Sequence, residues 1–167
     1  MVTTPKAHAS NPRTVTGERW LYHVTDELNP FFEIEDAWGD TIGNFPTRRR
    51  DTGLFAPSIN PRNEFVAQSR QTYAYGVAYH LTGDSKFLSL GKAGVDCIQK
   101  KGIDILNGGN YKFLTQPSNT PDTNFYLRDS QEQAYALQGM AFYYYLTRDE
   151  QVLNNIVTLK DHIFNSY

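Results

Sequence analysis

The side chains of this sequence best equipped for chemistry are arginine, tyrosine, glutamine and histidine, and their spacing sorts them. Arg70 shares a helix face with Val66, Tyr73 and Val77, an otherwise largely apolar stripe. A guanidinium there needs a partner or must reach water. That partner is either a ligand or a local group such as Glu64, Asp51 or a loop carbonyl. His8, His23, His80 and His162 could by type act as acids or bases, but they read as structural, His8 lying in the loose N-terminus, and no two stand at the i, i+4 spacing of a metal-ligand pair. Arg48-Arg49-Arg50 is a basic run that either holds an anionic sugar or phosphate or is simply solvated. Glu64, Asp129 and Glu132 sit near helix starts, yet none forms the singled-out carboxylate pair that glycoside hydrolysis needs. No phosphate-cradling glycine loop and no serine-centred nucleophile motif is visible. Cys97 is the single cysteine, which excludes an intrachain disulfide and any metal site built on two cysteines. Its apolar helical setting predicts a buried thiol. No metal and no cofactor is expected.

The elements that must position these residues are helices. Residues 1–15 are polar, rich in Thr and Pro, and read as a loose segment preceding one domain over 16–167. Thr16 caps a helix carrying Trp20, Leu21, Val24, Leu28, Phe31 and Phe32 on one stripe, which Pro30 ends or kinks. Residues 34–62 are punctuated by Gly, Pro, Asn and Asp, with short strands expected around 42–46 and 53–56. Asn60-Pro61 reads as a cap and first helical residue of a long helix over 61–82, which Gly83 ends. A second helix covers 85–101. Residues 103–127 form a loop or small hairpin turning at Asn107-Gly108-Gly109-Asn110. Two more helices cover 129–147 and 150–166. The expected fold is all-α, with about five main helices.

Composition bounds the function. The 167 residues are 40% apolar and 20% charged, as in globular proteins. A net charge of −2 implies no broad basic surface, so nucleic acid is not an expected partner. No run approaches the roughly 18 apolar residues of a membrane span. The N-terminus has no apolar core of a secretory signal, and a cytoplasmic location is expected. Aromatics reach 14%, mostly Tyr and Phe, which suit sugar clefts and packed helices alike.

The sequence also repeats itself. Residues 64–98 align with 129–163 at an offset of 65 residues, placing Gln68 on Gln133, Tyr79 on Tyr144, Leu81-Thr82 on Leu146-Thr147 and Asp84 on Asp149. Each copy is a helix, a tight Thr-Gly-Asp or Thr-Arg-Asp turn, a second helix and a long connection. Hairpins of this kind must stack on neighbours to bury their faces.

Gln68-Ser69-Arg70-Gln71-Thr72-Tyr73-Ala74-Tyr75-Gly76, followed by Tyr79-His80-Leu81-Thr82-Gly83-Asp84, resembles the second hairpin of the N-acylglucosamine 2-epimerase family. That family includes cellobiose 2-epimerases and aldose–ketose isomerases of mannose-type sugars. Gln133-Ala134-Tyr135-Ala136-Leu137, ending in Tyr143-Tyr144-Tyr145-Leu146-Thr147-Arg148-Asp149, resembles its third hairpin. The stretch from Trp20 to Phe32 is similar to its opening helix, and Gly43-Asn44-Phe45-Pro46 to the segment after it. The resemblance implies an (α/α)6 toroid, six hairpins around a sugar-binding funnel. Six units of this period need roughly 390 residues, so the expectation is an incomplete barrel, the N-terminal part of such a domain.

The resemblance further implies proton abstraction at C2 of a small carbohydrate, without metal or nicotinamide. Arg70 matches the family's catalytic-site arginine, which binds the sugar near the reacting carbonyl or enediolate. Tyr73, Gln133 and Tyr135 are the implied substrate contacts, with an interhelical hydrogen bond the alternative for Gln133. The family often has a tyrosine where this sequence has Gln131. Its catalytic histidines belong to later hairpins. The leading expectation is a sugar 2-epimerase or aldose–ketose isomerase. The alternatives are a catalytically incompetent carbohydrate-binding or structural fragment, and a glycoside hydrolase on the same toroid. Exposed hairpin faces predict self-association.

Overall fold

The computed structural model describes residues 16–47, 49–54, 56, 64–114 and 127–167. Residues 1–15, Arg48 and the Asn60-Pro61 cap lie outside them. The helical path opens with α1 (Gly17–Tyr22), passes through a π-helical stretch at His23–Leu28 and closes as α2 (Asn29–Phe32). Thr16 caps α1, its hydroxyl accepting from the Arg19 N–H at 3.2 Å. A 3-10 turn, Glu35–Ala37, follows. Then come α3 (Phe65–Thr82) and α4 (Ser85–Cys97), the latter running into a π turn at Ile98–Gly102. The second pair is α5 (Ser130–Thr147) and α6 (Glu150–Ser166). Counting α1 to α2 as one leading helix, the described residues give the five main helices expected.

The two hairpins repeat in atomic detail. Thr82 donates its hydroxyl to the Ala78 carbonyl at 2.7 Å and accepts from the Asp84 N–H at 3.2 Å. Thr147 does the same with Tyr143 at 2.9 Å and Asp149 at 3.4 Å. Asp84 then caps α4, accepting from the Lys86 N–H at 2.9 Å. Asp149 caps α6, accepting from Gln151 at 3.0 Å. The residue between Thr and Asp takes a left-handed conformation, φ 72° at Gly83 and φ 58° at Arg148.

α3 and α5 run parallel and in register. Ser69 donates to the Tyr135 carbonyl at 2.7 Å and accepts from the Gly139 N–H at 3.0 Å. Further along, Tyr73 meets Phe142, and His80 meets Tyr145. One core cluster lies between the hairpins, built on Phe65, Val95, Ile98, Met140, Val152 and Leu159. A second joins the leading segment to the first hairpin through Phe45, Tyr75, Phe87 and Leu90. Tyr75 donates to the Phe32 carbonyl at 2.9 Å. Its burial pushes the phenol up to about 12.

Two expectations need correction. No strand forms over 42–46 or 53–56 among the described residues; the chain makes only isolated bridges, such as Gly39 to Asn44 and Ile103 to Asn110. Gly39 and Gly43 turn the backbone at φ 93° and 99°, and the Phe45 N–H is taken by the Gln68 side chain instead of a ladder partner. The leading helix also fails to bury its whole stripe. Trp20 and Leu21 on α1, ahead of the π-helical stretch, and Leu28 at its end are exposed. Pro30, in the first turn of α2, cannot donate a backbone bond, and the helix is irregular where that donor is missing.

Candidate functional site

The zero register between α3 and α5 sets residues 65 apart side by side. It therefore brings Arg70 and Tyr135 together, each about a turn and a half into its helix. Arg70 Nη2 donates to the Tyr135 hydroxyl at 2.9 Å, and the guanidinium carbon lies 4.5 Å from the ring centre. Arg70 is exposed and Tyr135 half-buried. The arginine takes neither Glu64 nor Asp51 as a partner.

Two open clefts flank this pair. One, of about 390 Å³, has Arg70 on its border with Phe31, Phe32, Thr47, Arg49 and Gln71. The other, of about 340 Å³, is lined by Gln131, Ala134, Tyr135 and Gln138. The buried Oε1 of Gln138 has no hydrogen-bond partner. Exposed cation, aromatic face and amides together suit a polyhydroxylated ligand, whose ring stacks on an aromatic while its hydroxyls bond to polar groups.

The remaining candidates sit elsewhere. Tyr73 packs on Phe142, ring centres 4.9 Å apart, and borders neither cleft. Gln133 is buried to 1% exposure. Its Oε1 accepts from the Asn110 N–H at 2.9 Å and its Nε2 donates to the Asn110 carbonyl at 3.0 Å. It holds the loop ahead of α5, so the expected sugar contact gives way to a backbone clamp, and the interhelical bond weighed as its alternative is not made either. Gln68 clamps the loop ahead of α3 in the same manner, accepting from Phe45 at 2.9 Å and donating to Gly43 at 2.6 Å.

No histidine and no carboxylate lines either cleft among the described residues. His23 pairs with Glu27, His80 lies beside Phe142 and Tyr145 near the tight turn, and His162 adjoins Gly108 and Gly109. His8 lies outside the described residues. Cys97 is half-buried and its thiol is raised by burial, against a weaker pull from Lys101. No group of three or more His, Cys, Asp or Glu side chains is placed to hold a metal ion among the described residues. No described helix is long and apolar enough to cross a membrane.

Sequence reading does not single out Phe31, Phe32, Gln71 or Gln138. The two phenylalanines lie on a stripe indistinguishable from core, and nothing in the pattern marks the glutamines. Arg49 is flagged only as part of a basic run.

No family model matches the chain, and no curated protein matches it. Solved structures do. Cellobiose 2-epimerase from Spirochaeta thermophila DSM 6192 is similar at a TM-score of 0.60 and 17% identity, over 85% of this chain and 34% of that one. Cellobiose 2-epimerase from Bacillus thermoamylovorans B4167 is similar at a TM-score of 0.51 and 22% identity, over 61% of this chain and 29% of that one. This chain thus spans about a third of the length of the structures it matches. The likeness establishes the fold: helical hairpins of the (α/α)6 toroid.

Proposed function

We propose that this chain works as part of a sugar 2-epimerase or aldose–ketose isomerase, supplying the funnel wall that carries Arg70 and Tyr135. The observation behind this reading is the pairing of those two side chains between two clefts, on helices that keep toroid register. The (α/α)6 likeness to cellobiose 2-epimerases supports the same reading.

The chemistry begins with an open-chain aldose. A base takes the C2 proton, and the C–H electron pair moves to make an enediolate with negative charge on the former carbonyl oxygen. Arg70 answers that charge with N–H donors, stronger toward the developing oxyanion than toward the neutral carbonyl. Tyr135 fixes the guanidinium by accepting one of its N–H groups and offers its ring as a stacking face. Proton return to the opposite face of C2 gives the epimer; return to C1 gives the ketose. The family resemblance assigns the proton transfers to histidines of later hairpins.

The test is incubation of this chain, completed to a toroid by hairpins that carry the proton-transferring histidines, with cellobiose, mannose and N-acetylmannosamine in D2O, read by NMR. Deuterium at C2 is expected, with a rate about 10²–10³ lower in Arg70→Ala, the usual effect of removing one oxyanion donor. A sugar that shifts the Arg70 and Tyr135 resonances without gaining deuterium would leave a carbohydrate-binding segment and overturn the epimerase reading. Hydrolysis of an aryl glycoside would replace it with glycosidase chemistry.

A further inference from the structure

The middle member of the basic run has a setting that the epimerase reading does not use. Arg49 is half-buried, its guanidinium 4.1 Å from the centre of the Phe31 ring and 4.7 Å from that of Phe32. Its Nη1 donates to the carbonyls of Phe31 at 2.5 Å and Gly53 at 3.4 Å. No carboxylate pairs with it among the described residues; Asp36 favours its charge only through space. Burial, the larger influence, pushes its pKa down from the ordinary 12.5, and an arginine so placed still stays cationic at physiological pH.

Arg49 and Arg70 border the same cleft of about 390 Å³. In a chain of net charge −2, this concavity holds two cations and no lining anion among the described residues. Its volume falls within the roughly 300–1,000 Å³ of ligand clefts, and Phe31 and Phe32 give it an apolar wall. The Arg49 head is already held by two rings and two carbonyls, so little freedom remains to be lost on binding. Among the described residues only its Nη1 is engaged, and a guanidinium's Nε and Nη2 make a planar, two-pronged contact best with carboxylate or phosphate oxygens.

We propose that this cleft takes the anionic substituent, a carboxylate or phosphate, of a sugar ligand, with Arg49 as its anchor. The proposal rests on the sugar-epimerase reading for the sugar and on the cleft alone for the anion. It makes the preferred substrate class acidic or phosphorylated sugars rather than neutral ones.

Calorimetric titration of mannuronate and mannose 6-phosphate against mannose, with inorganic phosphate as a separate arm, tests it. Both anionic sugars are expected to bind at least about tenfold more tightly than mannose at low salt, and the margin should narrow as salt screens the charges. Arg49→Gln, checked for folding by circular dichroism, should cut that margin at least about fivefold. Should Arg49→Gln not fold, Arg49→Lys and the salt dependence of the unmodified protein decide instead. Equal affinities, a margin indifferent to salt, or a margin unchanged in a folded Arg49 variant would overturn the proposal. Inorganic phosphate binding as tightly as mannose 6-phosphate would overturn its sugar component. C2 deuteration without anion preference sinks this inference alone; anion preference without deuteration sinks only the epimerase reading.

Discussion

Gln133 spends both ends of its amide on Asn110, and Gln68 spends its own on Phe45 and Gly43. An amide buried and bonded at both ends is not presented to a ligand, whereas Tyr135 borders a cleft. The clamp was legible in the repeat. The offset that lays Gln68 on Gln133 also lays Gly43-Asn44-Phe45 on Gly108-Gly109-Asn110, and a glutamine recurring with a glycine-rich approach suits side-chain-to-backbone bonding. The Arg70–Tyr135 partnership was not read, the expected local partners being Glu64, Asp51 or a loop carbonyl, although both residues occupy one repeat position on parallel neighbours. Asp104 was not legible, because nothing local marks its partner Arg128. Its carboxylate, 1% exposed, accepts from the Leu106 and Asn107 N–H groups at 3.1 Å each, and from Arg128 Nη2 at 2.6 Å. Burial pushes this carboxyl up, but the Asn107 and Leu106 hydrogen bonds and the Arg128 charge outweigh it, leaving it below the ordinary 3.8. A lowered folded value means that Asp104 stabilises the protein fully above that ordinary value and progressively less as pH falls through the folded one. Asp104→Asn should therefore cost about 1–3 kcal/mol at neutral pH and little at the acid end. Urea midpoints measured from pH 7 downward, converging for the two proteins in acid, are the expected result.

At the scale of elements, the helices were readable because their ends are written locally. Thr-x-Asp turns close one helix and cap the next, and each of α4, α5 and α6 begins after a capping aspartate. Irregular segments were less readable, because the partners replacing strand ladders are side chains from distant helices, as with Gln68 and the Phe45 N–H. Two glycines separate backbone from packing demands. Gly83 sits at φ 72° with open space where a Cβ would go, so Gly83→Ala should cost about 1 kcal/mol from conformation alone. Gly139 lies on α5 where a Cβ would come 2.6 Å from the Ser69 carbonyl oxygen of α3, a backbone atom with little room to move. Gly139→Ala should force the two parallel helices apart at about 1–3 kcal/mol, and loosen the Arg70–Tyr135 pair they carry. Gly17, with nothing within 4 Å, is the control and should change stability by less than about 0.5 kcal/mol. Chemical denaturation ranks the three; a Gly139→Ala protein as stable as Gly17→Ala would refute the close-packed reading of the α3–α5 interface.

For the whole molecule, the repeat period carried the architecture, because parallel hairpins at constant register build a toroid wall. What the period could not carry is which faces stay uncovered. Stacked hairpins bury apolar surface on both neighbours. α6 turns Val152 and Leu159 into the core, yet Val157 is exposed and Phe164 is 78% exposed on its other side. On the opposite flank, Trp20 is 58% exposed beside Leu21. Both flanks thus offer aromatic and aliphatic groups that a further helical surface would cover, and a second copy of the chain presents surfaces of matching kind. The protein is therefore expected to self-associate, with sedimentation coefficients rising with concentration. Val157→Lys combined with Phe164→Lys should return it toward monomer, because two desolvated ammonium groups oppose burial of that face. These positions lie outside the buried core, so the helical signal should survive the change. A monodisperse monomer across the full concentration range would show that the α6 flank stays solvated, and exposed apolar area alone would then be no guide to assembly in this fold.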